Sequence, residues 1–449
     1  MKDITQTLHV RKFRGQPVRR VHVMAKPGGA LCNLNCTYCY YLSKKELLGK
    51  PELGRISDEV LETFIRQYFE AHNAREVVFS WQGGEPTLLG LDFFRKVVEL
   101  EKKYCPSWVR CQNDLQTNGT LLNDEWCAFL HEHNFLVGLS IDGPKNLHDV
   151  YRKDASGRGS FDRVFAAARL LKKHRVNFAT LSCVNRVTAK HPLEVYRFLR
   201  DNVGSKRIQF IPIVEYVGFR RAAPPPPDQL VGLNRVKSRW DERSMPVLGS
   251  HRARPGAEGS VVEAWSVDPD DWGDFLCRVF DEWHREDLGR IYVNYFEAAV
   301  ETWMGHVSPL CTQGPMCGKG LVIERDGSVY ACDHYVYPEY RIGNILTKPL
   351  AEMAFSRQQE RFGTLKEGGL PERCRVCEYE FACFGGCLKN RFIKTPEGEP
   401  GLNYLCSGWE KYFSHIDRPV QKIVRGLGET VVKEARALPA EQWQPGKQA

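Results

Sequence analysis

Eleven of the chain's sixteen cysteines fall into two groups, three within 32–39 and eight within 311–406. No other feature constrains the fold as much. Disulfide frameworks belong to oxidising compartments. The first twenty residues, MKDITQTLHVRKFRGQPVRR, show no apolar h-region of a secretory leader. The expected compartment is therefore the reducing cytoplasm, where grouped thiols point to metal or iron–sulfur ligation. Cys105, Cys111, Cys127, Cys183 and Cys277 are scattered and read as small buried hydrophobes. With 449 residues, 42% of them hydrophobic, the chain can bury a large core without relying on metal sites throughout. No apolar run approaches the length of a transmembrane helix, so no membrane partner is expected. A net charge of +8 permits an anionic partner without requiring one.

Between 21 and 214 the pattern alternates. Short runs rich in Val, Ile, Leu and Phe at 21–27, 76–81, 110–116, 135–141, 176–183 and 207–214 read as buried parallel strands. Amphipathic stretches at 57–72, 91–104, 124–133, 161–174 and 192–202 read as helices. Six strands with intervening helices predict a parallel α/β unit with right-handed crossovers. A partial barrel and an open doubly wound sheet both satisfy this alternation. The expected organisation is a basic tail at 1–20, the α/β unit at 21–217 and a Pro/Arg-rich insertion or linker at 218–267, opening near PPPP at 224–227. Connecting helices at 268–305, a Cys-rich domain at 306–420 and a polar tail at 421–449 complete it.

Cys32, Cys36 and Cys39 form C-x₃-C-x₂-C directly after the first strand. Three thiolates hold three irons of a cubane and leave the fourth open to a small molecule. A zinc site completed by a distant residue is the competing reading. Three further segments follow successive strands: WQGGEPT at 81–87, LQTNGT at 115–120 and GLSIDGP at 138–144, with Arg152 beyond the last. In barrel-like α/β folds such strand-end loops converge on the active site. Together with Tyr38 before the last cysteine, these segments resemble the radical S-adenosylmethionine enzymes. The resemblance implies a partial (β/α)6 TIM-like barrel. It also implies that the triad binds a [4Fe-4S] cluster and that Tyr38, Gly84, Ser140, Arg152 and Val214 line the S-adenosylmethionine pocket. At Gly84 the lack of a Cβ would let backbone approach the ligand.

The later cysteines run Cys311-x₅-Cys317, Cys332, Cys374-x₂-Cys377-x₅-Cys383-x₃-Cys387 and Cys406. Eight thiols divide into two complete four-cysteine sites, although C-x₂-C also occurs in structural zinc sites. The pattern resembles the SPASM domain of peptide-modifying radical enzymes. That resemblance implies one [4Fe-4S] cluster on Cys311, Cys317, Cys332 and Cys387 and another on Cys374, Cys377, Cys383 and Cys406, three clusters in all. Within this group TYCYY, WQGGEPTLLGLDFF, LQTNGTLL, FLVGLSIDGPK, GSVYACDHYV and NYLC are similar to anaerobic sulfatase-maturating enzymes. The family then implies oxidation of a Cys or Ser in a sulfatase polypeptide to Cα-formylglycine. Asp333 would accept the proton, Tyr41 and Gln82 would line the substrate pocket, and a flavodoxin or ferredoxin would supply electrons.

A carboxylate with a reference pKa near ~3.9 is a weak base toward a thiol near ~8.5. Either burial raises Asp333, or the proton leaves after the hydrogen has gone. Three alternatives stand beside this reading: a SPASM-type enzyme forming thioether or carbon crosslinks, a zinc-dependent nucleic-acid-binding protein, and a scaffold that binds sulfatases without modifying them. No basic–aromatic motif of the usual nucleic-acid modules is present, so nucleic acid is not an expected partner.

Overall fold

Helix signals and apolar spacing act together in the first half of the chain. Ser57 accepts a hydrogen bond from the Val60 amide and starts the helix Asp58–Glu70. That helix buries Val60, Leu61, Phe64, Ile65, Tyr68 and Phe69 along one stripe. Asn123 starts Asp124–Glu132 in the same way, through the Trp126 amide. The structure, a computed structural model, describes residues 12–49, 54–223 and 245–437. Its strands are β1 (Lys12–Phe13), β2 (Gln16–Pro17), β3 (His22–Lys26), β4 (Glu76–Trp81), β5 (Arg110–Thr117), β6 (Leu136–Ser140) and β7 (Phe178–Val184). They continue with β8 (Arg207–Pro212), β9 (Tyr292–Val293), β10 (Gly320–Glu324), β11 (Ser328–Tyr330), β12 (Arg341–Asn344), β13 (Ile393–Lys394) and β14 (Pro400–Leu402).

Strands β3 to β8 are the six parallel strands of a partial (β/α)6 barrel, each paired with the next in chain order. The sheet does not stop there. It has ten strands in the order β12-β11-β10-β3-β4-β5-β6-β7-β8-β9. The Cys-rich domain therefore contributes β10 in parallel to β3, from Gly320 opposite His22 to Glu324 opposite Lys26. Alternation sorts the side chains of this pair. Val23, Ala25, Leu321 and Ile323 join the main core beneath the helices. Met24 and Val322 belong to a second cluster on the other face, with Tyr41, Tyr330 and Val336.

Three expected boundaries are corrected. The segment 218–267 is not a linker where it is described. The Val217 amide donates to the Val261 carbonyl and the Val267 amide to Ile213, both at 2.8 Å. Phe219, Val262, Trp265 and Val267 are buried. A few apolar anchors in a polar, Arg-rich stretch suffice to fold it onto the barrel, and average composition hides them. The prolines at 224–227 lie outside the described residues. The polar tail expected from 421 is the continuation of the helix Cys406–Ala437, whose Ile416 and Val420 are buried and whose Ile423 and Val424 are packed against the core. The basic tail at 1–20 ends in a hairpin of β1 and β2, held by Asn73 donating to the Pro17 carbonyl at 2.8 Å. Residues 1–11 lie outside the described residues.

The helices Pro269–Glu282 and Asn294–Trp303 follow the barrel strands, with β9 between them pairing on β8. The long C-terminal helix packs on Pro269–Glu282 with backbones nearly touching. A Cβ on Gly408 would lie 2.2 Å from the Pro269 carbonyl oxygen, so only glycine permits this contact. The packing carries Cys406 to the other cysteines of its set. Among the described residues no helix is long and apolar enough to cross a membrane.

Candidate functional site

The loop after β3 carries Cys32, Cys36 and Cys39. Two backbone bonds pin it to the Arg152 segment: the Asn35 amide to the Lys153 carbonyl at 2.7 Å, and the Thr37 amide to Tyr151 at 3.0 Å. Burial pushes the Cys32 thiol up to about 11 and raises Cys36 and Cys39 as well. The Cys32 and Cys39 thiols add to the rise at Cys36. Asn118 reaches the Cys32 sulfur at 3.9 Å.

Glu85 ties the next two motif loops together. Its buried carboxylate accepts from Thr117 Oγ1 and the Asn118 amide, both at 2.7 Å, and from Thr87 Oγ1 at 2.6 Å. At Gly84, which the resemblance assigns to the S-adenosylmethionine pocket, the close neighbour is the cysteine loop. A Cβ there would stand 2.0 Å from the Leu31 carbonyl oxygen. The Gly84 amide donates to Gly29 and the Glu85 amide to Leu31, at 2.8 and 2.7 Å.

Asp142, which sequence reasoning passed over inside the GLSIDGP motif, is the hub of the opposite wall. Its carboxylate accepts from Tyr38 Oη, from Arg152 Nε at 2.9 Å and from the Cys183 amide at 2.9 Å. Tyr38, Arg152 and Asp142 are all buried. Ser140 closes β6 beside this hub. Val214 is fully buried in the main core.

The face formed by β3 and β10 carries a second polar group. Lys26 is buried and its ammonium meets the Asp333 carboxylate at 2.7 Å. Tyr40 Oη donates to the same carboxylate, and Tyr41 Oη donates to Glu324. Burial alone would raise Asp333, but Lys26 and His334 outweigh it and hold the acid down at about 2. Burial raises Glu324 to about 7. Lys389 pairs with Glu215 nearby, and the buried Lys44 ammonium lies over the Tyr337 ring, 3.2 Å from its centroid. Burial pushes Lys44 down to about 7. Gln82 is buried at the end of β4, its amide donating to Ala25. Of these polar residues the sequence singled out only Tyr41, Gln82 and Asp333. Lys26 and Lys44 look like ordinary solvated lysines until the fold buries them.

The eight later thiols meet as two sets. Burial raises Cys332 most, and Cys317, Cys387 and Cys311 add to the rise. Cys406 is influenced by Cys383 and Cys374, and Cys383 by Cys374 and Cys377. A cavity of about 240 Å³ is lined by all four of Cys374, Cys377, Cys383 and Cys406. Among the described residues, no three His, Cys, Asp or Glu side chains are drawn together as ligands of a single metal ion would be. A tetrahedral zinc with bonds of ~2.3 Å needs sulfurs roughly 3.8 Å apart. Glu378, Glu380 and Glu410 also line that cavity, and four thiols around a space larger than one ion suit an iron–sulfur cluster.

Comparison with known proteins agrees with this chemistry. Residues 28–199 match the Radical SAM superfamily, and 311–378 match an iron–sulfur cluster-binding domain, SPASM. The chain is 44% identical over 396 residues to a serine-type anaerobic sulfatase-maturating enzyme of Bacteroides thetaiotaomicron, covering 88% of this chain and 89% of that one. It is 34% identical to a cysteine-type anaerobic sulfatase-maturating enzyme of Clostridium perfringens, covering 88% and 95%. A solved structure of native anSMEcpe with bound AdoMet and Kp18Cys peptide matches with a TM-score of 0.73 at 32% identity, over 90% of this chain and 99% of the other.

Proposed function

The chain belongs to the anaerobic sulfatase-maturating enzymes, a family of radical S-adenosylmethionine enzymes with a SPASM domain, and from that premise we propose that it oxidises a Cys or Ser side chain of a sulfatase polypeptide to Cα-formylglycine. The observation that carries this reading is the Lys26–Asp333–Tyr40 group. It joins the barrel to the auxiliary domain on the face shared by β3 and β10. Sulfatase-maturating relatives of both types, and a structure holding a cysteine peptide, support a peptide substrate.

Cys32, Cys36 and Cys39 would hold the cluster that binds S-adenosylmethionine, and together these cofactors would supply the hydrogen-abstracting chemistry. Tyr38, Gly84, Ser140, Arg152 and Val214 form the surrounding pocket. Asp142 fixes Tyr38 and Arg152 in it through its buried hydrogen bonds. Tyr41 and Gln82 bound the peptide side. The two auxiliary cysteine sets bring the complement to three [4Fe-4S] clusters. A flavodoxin- or ferredoxin-type donor is the electron source this reading requires.

In balance, a Ser side chain loses one hydrogen atom from Cβ, which the S-adenosylmethionine chemistry would take up, one proton from oxygen, and one electron, which the auxiliary cysteine sets' clusters would accept, and becomes the aldehyde. A Cys side chain loses the same three and becomes a thioaldehyde, which water converts to the aldehyde with release of hydrogen sulfide. Asp333 receives the proton. Its low pKa means that it waits as the ionised carboxylate. Burial does not make it a strong base, so the proton leaves after the Cβ hydrogen, when the thiol or hydroxyl has become far more acidic. Lys26 and Tyr40 hold the acceptor oxygens in place.

Asp333→Asn keeps the shape and removes the acceptor. With Ser- and Cys-containing sulfatase peptides, formylglycine measured by mass spectrometry should fall roughly 10²–10⁴-fold. S-adenosylmethionine cleavage should continue, uncoupled from product. Formylglycine at the parent rate with full iron content would remove Asp333 from the mechanism.

A further inference from the structure

Two buried cations stand between the auxiliary thiol sets without a carboxylate partner. Lys366 is fully buried and Arg391 is 2% exposed. Every hydrogen bond they donate goes to a backbone carbonyl. Lys366 Nζ donates to Cys311 at 2.7 Å. Arg391 donates to Gly385 at 3.0 Å, and to Phe384 and the Lys366 carbonyl at 2.6 Å each. Phe384 and Gly385 lie between Cys383 of one set and Cys387 of the other. Among the described residues neither cation forms an ion pair with Asp or Glu. Arg391 is instead within electrostatic reach of Cys317 and Cys387 of the first set and Cys374 and Cys383 of the second. Lys366 is within reach of Cys311, Cys317 and Cys387, and it acts on Cys383 as well.

Two adjacent buried like charges are costly unless negative charge lies beside them. Among the described residues, the groups beside them that can carry negative charge are the cysteines of the two sets, which iron–sulfur clusters would hold as thiolates. We propose that Lys366 and Arg391 form a shared counter-charge for both auxiliary clusters and set their reduction potentials together. The inference rests on the assignment of clusters to these cysteines made above. The physical reason is simple. One-electron reduction adds negative charge to each cluster, and a fixed cation nearby favours the reduced form. The pair would thus raise both potentials and keep both clusters able to take an electron drawn from the substrate.

The test is Lys366→Gln, which keeps a donor for the Cys311 carbonyl and removes the charge. The anaerobically reconstituted full chain is titrated by EPR-monitored potentiometry, with iron counted. The expected result is full iron and auxiliary potentials shifted negative by at least tenfold in the one-electron equilibrium, about 59 mV, with the Cys32/Cys36/Cys39 cluster unmoved. Full iron with unmoved auxiliary potentials overturns the proposal. If Lys366→Gln loses auxiliary iron, the charge-preserving Lys366→Arg must recover it. Loss in both makes Lys366 a packing element and also overturns the proposal. Parent protein that shows no auxiliary [4Fe-4S] signals would instead overturn the cluster assignment itself.

Discussion

Replacing Gly84 by Ala tests whether the cysteine loop is positioned by backbone contact with the GGEP loop. The added Cβ would lie 2.0 Å from the Leu31 carbonyl oxygen, 2.5 Å from its carbon and 2.8 Å from the Ala30 carbonyl carbon. Real Cβ atoms essentially never come closer than 3.0 Å, and all three neighbours are backbone atoms that no rotamer change can withdraw. One loop must therefore move by about 1 Å. The hydrogen bonds from Gly84 to Gly29 and from Glu85 to Leu31 cross the same contact. Losing both costs roughly 2 kcal/mol, and the overpacking adds about 1–3 kcal/mol. Leu31 adjoins Cys32, so the displacement passes directly to a cluster ligand. A misplacement of that size lowers rates by about 10²-fold. The assay is 5′-deoxyadenosine formed per minute from S-adenosylmethionine under dithionite, with iron content and a denaturant midpoint on the same sample. The expected result is cleavage down about 10²-fold with auxiliary iron retained. Parent cleavage at the parent midpoint would show that the loops do not depend on this contact.

Replacing Cys32, Cys36 and Cys39 together by Ala should leave about eight of about twelve irons per reconstituted chain and abolish S-adenosylmethionine cleavage; iron analysis and the cleavage assay read both. Trp265→Ala should cost about 3–5 kcal/mol in denaturant unfolding, because Trp265 is buried and meets Phe219 edge-on at 5.9 Å. Unchanged stability would mean that the 245–267 segment is dispensable. Glu101 is buried, and its pKa is raised to about 7 from 4.5, chiefly by burial. A carboxyl raised on folding stabilises fully below the unfolded value, and that contribution is lost as pH rises through the folded value. Glu101→Gln should therefore unfold at higher denaturant than the parent at pH 8, by up to roughly 3 kcal/mol, with the gap closing toward pH 4.5; a pH-independent difference would contradict the burial argument.

The barrel strands were legible because buried parallel strands are short apolar runs separated by amphipathic helices, and each expected strand lies within a few residues of its observed bounds. The motif loops were legible for a related reason: loops at successive strand ends converge, whatever the helices between them. The residues that escaped are those whose meaning depends on burial. Lys26 is a lone lysine and Lys44 one of the pair Lys44-Lys45, both in unremarkable sequence, and both are 2% exposed. Asp142 lay inside a recognised motif, but its three donors come from Tyr38, Arg152 and Cys183, 104, 10 and 41 residues away. The segment 245–267 escaped because a handful of anchors was diluted by polar neighbours. Nor could spacing alone divide the eight later thiols, since Cys383 and Cys387 are four residues apart, yet Cys383 feels Cys374 and Cys377 while Cys387 acts on Cys332.

The sheet explains why the two halves work as one body. A six-stranded partial barrel leaves β3 as an open edge, and an unpaired edge is a template for wrong pairing. β10 covers it in parallel register and brings Glu324 level with Lys26. On the interior face this supplies a carboxylate partner for Tyr41, and the chain beyond β11 returns with Asp333 for Lys26. Without the auxiliary domain, Lys26 would be left at the rim of the barrel without its ion-pair partner, and Tyr40 and Tyr41 would lose the acceptors that orient them. The domain carrying the later cysteines is thus part of the barrel wall. The proposed proton acceptor is placed by the same strand pairing that closes the sheet, so the position of Asp333 relative to the cysteine loop is fixed by backbone register rather than by a flexible interdomain contact.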